Sequence, residues 1–387
     1  MKIKGKVIHY LFFLTLTLLL TAMSFQNKAA ASEPEKAKTD VVKKGEGEKE
    51  APFNAGDMII EHITDNHEWH IATIGSVHIS VPLPVILIYK GKLDVFMSSK
   101  FHHGEESYKG YKLELEGKYK NKIVRVKEDG VTPDEAAGLP MDFSITKTVA
   151  AVFISVLFLI LIFTSVARSY KKNAGKPPKG LQSLIEPIIV FVRDDIAVSS
   201  IGEKKYEKFM PFLLTIFFFI LINNLMGLIP FFPGGVNVTG NIAVTLTLAL
   251  FTFVITNFSG NKNYWGHIFN TPGVPWWLKI PIPLMPVIEL VGMITKPFVL
   301  MIRLFANISA GHIIVLGFMS LIFIFGKMNL GMGYGVSLLS VLFAVFMSML
   351  ELLVAFLQAY VFTLLSALYF GMAVEEHEHP HEVEHVH

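Results

Sequence analysis

The chain contains no cysteine and few charged side chains. Of its 387 residues, 17% are Asp, Glu, Lys or Arg and 52% are hydrophobic, whereas soluble domains carry about 25% charged residues. Without cysteine, neither disulfides nor thiolate metal sites can form. The net charge of +2, with no basic patch interleaved with aromatic residues, argues against a nucleic-acid-binding protein. This composition is typical of a membrane protein.

Residues 1–31 have the pattern of a secretory signal peptide. Three lysines precede the apolar residues 7–23, and a run of alanines ending at Ala31 provides the small side chains that signal peptidase requires. Because the apolar run is slightly long for a signal, an uncleaved first membrane helix is the alternative. Residues 32–52 are rich in Lys, Glu and Ala without periodicity, and we expect a disordered linker there.

Residues 53–144 form a separate unit whose pattern predicts β-strands. Polar and apolar residues alternate over residues 77–89 and 110–117, and Gly-Lys turns lie nearby. A signal before this β-rich segment and a membrane span after it would place the segment outside the cytoplasm.

Residues 145–374 are the predicted membrane domain, which we expect to be all-α. Five segments are apolar and long enough to span a bilayer: residues 148–166, 209–232, 241–258, 286–325 and 335–374. Residues 181–199 are apolar but interrupted by charge, which predicts an amphipathic helix at the membrane interface. Basic residues follow the first span directly, so that end is predicted to be cytoplasmic, as is the His/Glu-rich tail, residues 375–387.

The last two apolar tracts are each about 40 residues long, or ~60 Å as continuous helices, against a bilayer core of ~30 Å. Either each tract breaks into shorter helices, or both tilt steeply as a hairpin. No Gly-Pro cluster interrupts either tract, so we favour the hairpin, with only a kink at Pro297 and a connection at residues 326–333.

The first of these tracts carries ionisable residues at membrane depth, where a functional role is the default interpretation. Glu289, Lys296, Arg303 and Asn307 lie within about 40° of one another on one helix face, and His312 lies on the opposite face. Glu289 and Lys296 are near the cytoplasmic end, and snorkelling explains them equally well. Arg303 is about 25 Å along the helix, too deep to snorkel easily.

The second tract carries one acid, Glu351, before its end. Ser348, Ala355 and Gln358 share its helix face. A single carboxyl group with hydroxyl and amide neighbours on a spanning helix suggests part of a proton route. The alternative is a buried polar contact that holds helices together.

Several blocks of the membrane domain resemble the a subunit of the F-type ATP synthase. They are ELVGMITKPFVLMIRLFANISAGH at 289–312, LQAYVF at 357–362 with MAVEEH at 372–377, and NNLMGLIP at 223–230. Together these blocks cover the membrane domain in order, and that ordered set is specific to the family.

The resemblance implies that Arg303 is the family's essential arginine, which faces a ring of c subunits. A guanidinium stays charged, so it favours ionisation of a passing ring carboxyl group. It would also separate two aqueous half-channels, so that an ion must ride the ring to cross.

The resemblance also implies roles for the polar residues near Arg303. Asn307 and Gln358 would be its neighbours, Asn224 would line a channel, and His312 and Glu351 would relay protons in the outer half-channel. Many relatives carry an acid at the position of His312 and a histidine at that of Glu351, so the pair is exchanged here. Glu289 and Lys296 complete the candidate proton-translocating set.

The implied protein is a non-catalytic subunit of the bacterial inner membrane. Its partners would be the c-subunit ring, the b subunits of the peripheral stalk, the other ATP synthase subunits and the lipid bilayer. No Walker loop is present, so phosphate chemistry would belong to partners, and no cofactor is expected. A self-contained proton- or sodium-coupled secondary transporter is the alternative, but the internal repeats typical of such proteins are not evident.

Two histidine clusters permit weak zinc or nickel binding. One comprises His62, His67 and His70, and the other is the tail from His377 to His387. We interpret both as solvated polar segments, so no metal site is predicted.

Overall fold

A computed structural model of the chain describes residues 64–375, except residues 75–76, 116, 174, 230–231 and 270–283, together with Gly56. The predicted signal peptide, linker and His/Glu-rich tail lie outside the described residues, apart from Glu375 at the start of the tail.

The β-rich segment forms three small antiparallel sheets. Its strands are β1 (Glu68–Ile74), β2 (Val77–Pro82), β3 (Pro84–Tyr89), β4 (Lys92–Met97), β5 (Tyr111–Leu113), β6 (Ile123–Arg125) and β7 (Met141–Asp142). The pairings are β1–β2, β5–β6 and a three-stranded sheet in the order β4-β3-β7. Two 3₁₀ helices, Ser98–Gly104 and Gly117–Tyr119, lie between strands.

Alternation along β3 builds the core of this segment. Val85 and Leu87 point inward and are fully buried, as period-2 patterning requires. They pack with aromatic residues from β4, the first 3₁₀ helix and β5: Phe96, Phe101 and Tyr111.

The membrane domain is helical. Its shorter helices are α1 (Lys147–Lys172), α2 (Leu181–Phe191), α3 (Tyr206–Leu228), α4 (Ile242–Ser259) and α5 (Lys262–Phe269). Helix α2, in the segment predicted to lie at the membrane interface, continues through a π-helical turn, Val192–Val198, and a last turn, Ser199–Ile201. Side-chain caps fix two starts: Thr146 accepts from Val149 N before α1, and Asn241 accepts from Ala243 N before α4.

The last two helices form the predicted hairpin. Helices α6 (Leu284–Met328) and α7 (Leu330–Val374) are each 45 residues long and unbroken, and α6 continues through Pro297. The break between them is narrower than the expected connection at 326–333, because Asn329 alone interrupts the helices and caps α7 through Gly331 N. Gly326 and Gly333 remain helical and let the two backbones approach closely.

The helices differ in how much of their surface the chain itself covers. Helix α3 is central and almost wholly buried, whereas α6 and α7 leave most of their side chains uncovered. Within the described residues, α1, α3, α4, α6 and α7 are the helices long and apolar enough to cross a membrane. This confirms the predicted polytopic α-helical fold with its long hairpin and a small β-rich N-terminal segment.

Candidate functional site

One face of α6 carries four polar side chains. Glu289, Lys296, Arg303 and Asn307 are spaced by seven, seven and four residues, so they line up along the helix. Arg303 and Asn307 are exposed, while Glu289 and Lys296 are half-buried. The middle of this face therefore points a guanidinium and an amide away from the rest of the chain.

The surroundings of Arg303 are apolar. Val299, one turn before Arg303 on the same side of α6, is 40% exposed, and the adjacent Ile302 is 38% exposed. Glu289 is the one acid in α6, 14 residues before Arg303 or ~21 Å along the helix, and it lies beside His267 instead. Arg303 thus forms no ion pair within the described part of the chain. A permanent cation in this position can bind a carboxylate.

His312 and Glu351 meet across the hairpin, on a side of α6 that faces the helix bundle. His312 Nδ1 lies 3.9 Å from Glu351 Oε1, and both side chains are largely covered. Glu351 packs directly on Gly311, where no side chain intervenes. His312 Nε2 lies beside Gly227 of α3. The two titratable groups are therefore within a small side-chain movement of proton transfer.

Asn224 links α3 to the hairpin and to the loop before α4. Its Nδ2 donates to the carbonyl oxygen of Ala355 at 3.2 Å. Its Oδ1 accepts from Thr239 Oγ1 at 2.6 Å. Because Ala355 is one turn along α7 from Glu351, this buried amide lies next to the His312–Glu351 pair.

The antiparallel register places Gln358 at the level of Arg303. Contacts across the hairpin join Gly326 with Gly333, Phe318 with Phe343, Gly311 with Glu351, and Lys296 with Tyr369. In an antiparallel pair of helices, residues at the same level have a nearly constant sum of residue numbers. That sum is between 659 and 665 for these pairs, and it is 661 for Arg303 and Gln358. Gln358 is buried, so its amide lies inside the subunit behind the exposed Arg303 face.

A polar cavity lies beside the first turns of α6, at the end of its polar face where Glu289 and Lys296 are found. It has a volume of about 300 Å³, and its polar lining residues are Asn263, Tyr264, His267, Glu289, Lys296 and Glu375. His267 Nδ1 lies 4.0 Å from Glu289 Oε1. The Lys296 ammonium lies 5.5 Å from the centre of the Tyr369 ring, as in a cation–π contact. The cavity therefore places titratable groups beside the α6 face, in a space large enough for water.

A second, narrower space lies next to this cavity, between α4 and α6. Tyr264 and Lys296 line both spaces, and Thr252 and Thr256 line the narrower one, which is about 10 Å³. That volume suits a single water molecule. Burial raises the pKa of the Tyr264 phenol, which therefore stays protonated and donates to Asn257 Oδ1 at 3.3 Å.

His267 was not among the predicted site residues. It lies in the short helix α5, separated from α6 by residues 270–283, and nothing in its local sequence links it to Glu289. The available signal was a histidine in the loop that precedes the tract of Glu289.

The histidine clusters divide between described and undescribed residues. His62, the side chain of His70 and the tail from His377 lie outside the described residues. His67 Nε2 is bonded to Asp142 Oδ2 at 2.8 Å. In the part of the chain that the structure describes, no three His, Asp or Glu side chains are grouped to hold a metal ion.

The site residues thus divide into two groups separated by a fixed charge. His312 lies nine residues after Arg303, ~14 Å along α6, and Glu289 lies ~21 Å before it. A proton that moves between the groups along α6 meets a guanidinium that cannot lose its own proton. The arrangement therefore places titratable groups on both sides of a fixed positive charge.

Comparison with known proteins identifies two matching families. Residues 149–371 match the family described as ATP synthase A chain. Residues 58–143 match a domain of unknown function (DUF8433).

Curated relatives match the membrane domain. "ATP synthase subunit a" of Chloroherpeton thalassium is 45% identical over 248 residues, which cover 62% of this chain and 70% of the relative. "ATP synthase subunit a 2" of Chlorobaculum tepidum is 47% identical over 245 residues, covering 62% of this chain and 65% of the relative. "ATP synthase subunit a" of Chlorobium phaeobacteroides (strain BS1) is 46% identical over 246 residues, covering 61% and 68%. The chain spans about two thirds of the length of these relatives.

Proposed function

The chain belongs to the ATP synthase A chain family, and on that premise we propose that it carries protons to and from the carboxyl groups of a c-subunit ring. Two half-channels, one from each side of the membrane, would couple proton flow to ring rotation and ATP synthesis. The observation that carries the proposal is Arg303, a permanent cation without an ion-pair partner in the described chain, on an uncovered apolar helix face.

Arg303 acts on the ring rather than on the proton. The uncovered face of α6 would pack against the ring, so that Arg303 meets each ring carboxyl group in turn. The guanidinium favours the ionised carboxylate, which releases its proton as it arrives. Between the half-channels the same charge repels protons, so the ring remains their route. Asn307 on the same helix face and Gln358 at the same level of α7 are the polar neighbours of Arg303 in this proposal.

The outer half-channel would run through His312 and Glu351. A histidine and a glutamate 3.9 Å apart can share a proton and pass it on after a small side-chain movement. Asn224, hydrogen-bonded to Thr239 and to the α7 backbone, lines the path beside them.

The inner half-channel would open at the cavity that Glu289, Lys296 and His267 line. Glu289 and His267 lie where protons leave towards the cytoplasm, and the one-water space beyond Tyr264 leads towards the middle of the hairpin. His267 is thereby added to the proton-translocating residues.

The proposed setting is the bacterial inner membrane. Basic residues support this orientation: Arg168, Lys171 and Lys172 at the end of α1 and Lys205 at the start of α3 favour the cytoplasm. The β-rich segment would then lie outside and the C-terminus inside. The partners are the c-subunit ring, the b subunits and the remaining ATP synthase subunits. The phosphate chemistry belongs to those partners, and this chain is a non-catalytic subunit.

Substitution of Arg303 tests the proposal. We expect Arg303→Ala to abolish ATP synthesis driven by a proton gradient in membrane vesicles, while ATP hydrolysis by the detached soluble sector continues. Arg303→Lys is also expected to be severely impaired, because an ammonium lacks the planar fork and loses its proton more readily when desolvated.

A matched control is Arg193→Ala in the interfacial segment, where the arginine is half-exposed and pairs with Asp194 next to it. We expect that variant to keep normal synthesis. Normal ATP synthesis by the Arg303→Ala variant would refute the proposal.

A further inference from the structure

The β-rich segment is attached to the membrane helices through Trp69 of β1. Trp69 is 5% exposed and belongs to the same apolar cluster as the membrane helices, together with Leu83. Its indole meets the ring of Phe232 edge to face, with centroids 5.0 Å apart. Phe232 lies in the loop between α3 and α4, so one strand of the outer segment rests on that loop.

The same loop also contacts α3 next to His312 and Asn224. Thr239 in the loop supplies the 2.6 Å hydrogen bond that orients Asn224. Gly235 N donates to Met226 O at 3.2 Å, which fixes the loop on the end of α3. A Cβ on Gly227 would lie 3.4 Å from the carbonyl oxygen of Val236 and 3.6 Å from His312 Nε2. A shift of the loop therefore alters the surroundings of both Asn224 and His312.

Two contacts hold β1 in place above the loop. Asp65, just before β1, accepts from Thr146 Oγ1 at 2.8 Å and from Thr148 N at 3.1 Å at the start of α1. Two residues later, the buried His67 is bonded to Asp142 of β7 at 2.8 Å. Trp69 is thus fixed with respect to α1, and its position on Phe232 does not depend on the loop alone.

We propose that Trp69 is a positioning residue for the outer half-channel, which holds the Phe232–Asn241 loop so that Thr239 and Asn224 keep their places beside His312. The β-rich segment would therefore stabilise the loop beside the proton path. Its family match, to a domain of unknown function, does not assign that role. This inference rests on the proposed function, because it concerns the half-channel assigned there.

The test is ATP synthesis by inverted membrane vesicles, in which the outer segment faces the lumen. Rates are divided by the amount of assembled complex, measured as membrane-bound ATP hydrolysis in detergent. We expect Trp69→Ala to lower the rate per complex by about tenfold, since displacement of a relay group by ~1 Å has effects of this order or larger. Trp69→Phe keeps an aromatic ring against Phe232 and should stay within about twofold of wild type.

The dependence on pH separates positioning from loss of assembly. For Trp69→Ala, we expect an altered dependence of the rate on luminal pH, with the dependence on external pH unchanged. The control is Leu93→Ala on β4 of the same segment, where the side chain is 60% exposed and should not affect either profile. A Trp69→Ala rate within twofold of wild type, or an equal loss in Leu93→Ala, would overturn the inference.

If Trp69→Ala does not assemble, Phe232→Ala removes the other half of the contact and leaves the β-rich core intact. It should reproduce the luminal-pH effect, and Trp69→Phe combined with Phe232→Ala should be no worse than Phe232→Ala alone. A normal luminal-pH profile for Phe232→Ala refutes the inference. Failure of the proposed function itself is distinguishable, because it would appear as normal synthesis in Arg303→Ala.

Discussion

His312 and Glu351 illustrate how two residues on different helices can act as one unit. They are 39 positions apart in the chain, but the hairpin brings their side-chain atoms to 3.9 Å. At this distance a small side-chain movement brings the two groups into hydrogen-bond contact. Under the proposed function, proton transfer requires one histidine and one glutamate at this place, and it matters less which helix carries which residue.

The pair can be tested by exchange. We expect His312→Ala and Glu351→Ala each to reduce proton flux in vesicles severalfold, because each removes one relay group. Exchanging the two, His312→Glu with Glu351→His, should recover part of the flux, measured as acidification per membrane-bound ATPase. Glu106→Ala, an exposed glutamate beside His102, serves as the control. If the exchanged protein is no better than the worse single variant, the residues do not function as a pair.

His67 and Asp142 form a second pair, outside the membrane helices. Burial acts to lower the pKa of His67, but the hydrogen bond and charge of Asp142, with the charges of Asp65 and Glu68, outweigh burial and raise the pKa above 6.5. Burial acts to raise the pKa of Asp142, but its bond with His67 brings the pKa below 3.8. Both directions favour the ion pair.

The stability of the β-rich segment should therefore depend on pH. The histidine's contribution is complete below pH 6.5 and is lost as pH rises through the raised folded-state pKa. The aspartate's contribution is complete above pH 3.8 and is lost only at lower pH. At pH 5.5, His67→Gln should destabilise the segment by roughly 1–3 kcal/mol, and the difference should shrink by pH 8.5.

The measurement for His67→Gln is the temperature at which a protease pulse begins to cut within residues 64–144 of the purified complex. His102→Asn is the control, since His102 is 65% exposed and asparagine tolerates its positive φ. A constant difference between wild type and His67→Gln from pH 5.5 to 8.5 would contradict the assigned ion pair.

Single residues differed in how far the sequence predicted them. Arg303 was identified because a charged side chain deep in an apolar tract is costly and is rarely present without a functional role. The sequence also separated His312 from the Arg303 face by helical periodicity alone. His267 and the structural bonds of His67 were not predictable in this way, because their partners are distant in the chain and no local pattern reports a tertiary contact.

Among the elements, the hairpin of α6 and α7 depends on glycines at the interface between the helices. At Gly311 an added Cβ would collide with Oε1 of Glu351, whereas at Gly317 it would meet nothing within 4 Å. Since the atom displaced is the end of a flexible side chain, Gly311→Ala should move the carboxyl group rather than the helix.

We therefore expect Gly311→Ala to assemble normally but to lower proton flux by about tenfold, because Glu351 leaves its place beside His312. Gly317→Ala is the matched control on the same helix and should be neutral or slightly stabilising, as alanine is the better helix former. Flux and the amount of complex would be measured in the same vesicles. Equal flux in the two variants would show that the place of Glu351 is not critical.

The lengths of α6 and α7 followed from the lengths of the apolar tracts, but the sharpness of their connection did not. A glycine-rich stretch predicts a loop, and the sequence had no means to show that Gly326 and Gly333 serve close packing instead. Hydrophobic length determines whether a helix can form, while the detailed contact between two helices depends on tertiary structure.

At the scale of the whole molecule, the five apolar helices were predictable because the bilayer demands long apolar segments. The attachment of the β-rich segment was not predictable, since Trp69 and Phe232 are 163 positions apart. Each of the two residues also lies in the region that matches a different family. Hydropathy reports contact with lipid, and it carries no information on which loop a tryptophan of a separate segment will meet.

The proposed orientation predicts where proteases can reach. We expect mature protein to begin near Ser32 and residues 53–140 to be cut in spheroplasts but protected in inverted vesicles. N-terminal sequencing and mass spectrometry of the fragments would measure both. A cytoplasmic control site is the Lys-rich segment 171–179, which should show the opposite pattern. Digestion of residues 53–140 only in inverted vesicles would reverse the topology.

The hydrogen bonds from Thr146 and Thr148 to Asp65, which clamp the β-rich segment to α1, have a practical consequence for imaging. Because Asp65 and Asn66 bond directly to the first turn of α1, the β-rich segment continues the membrane bundle instead of hanging from it on a tether. An antibody fragment raised against the exposed surface of β4 would then serve as a fixed landmark for aligning electron-microscope particles. The sharpness of that landmark relative to the helices in a reconstruction would measure the stiffness of the clamp.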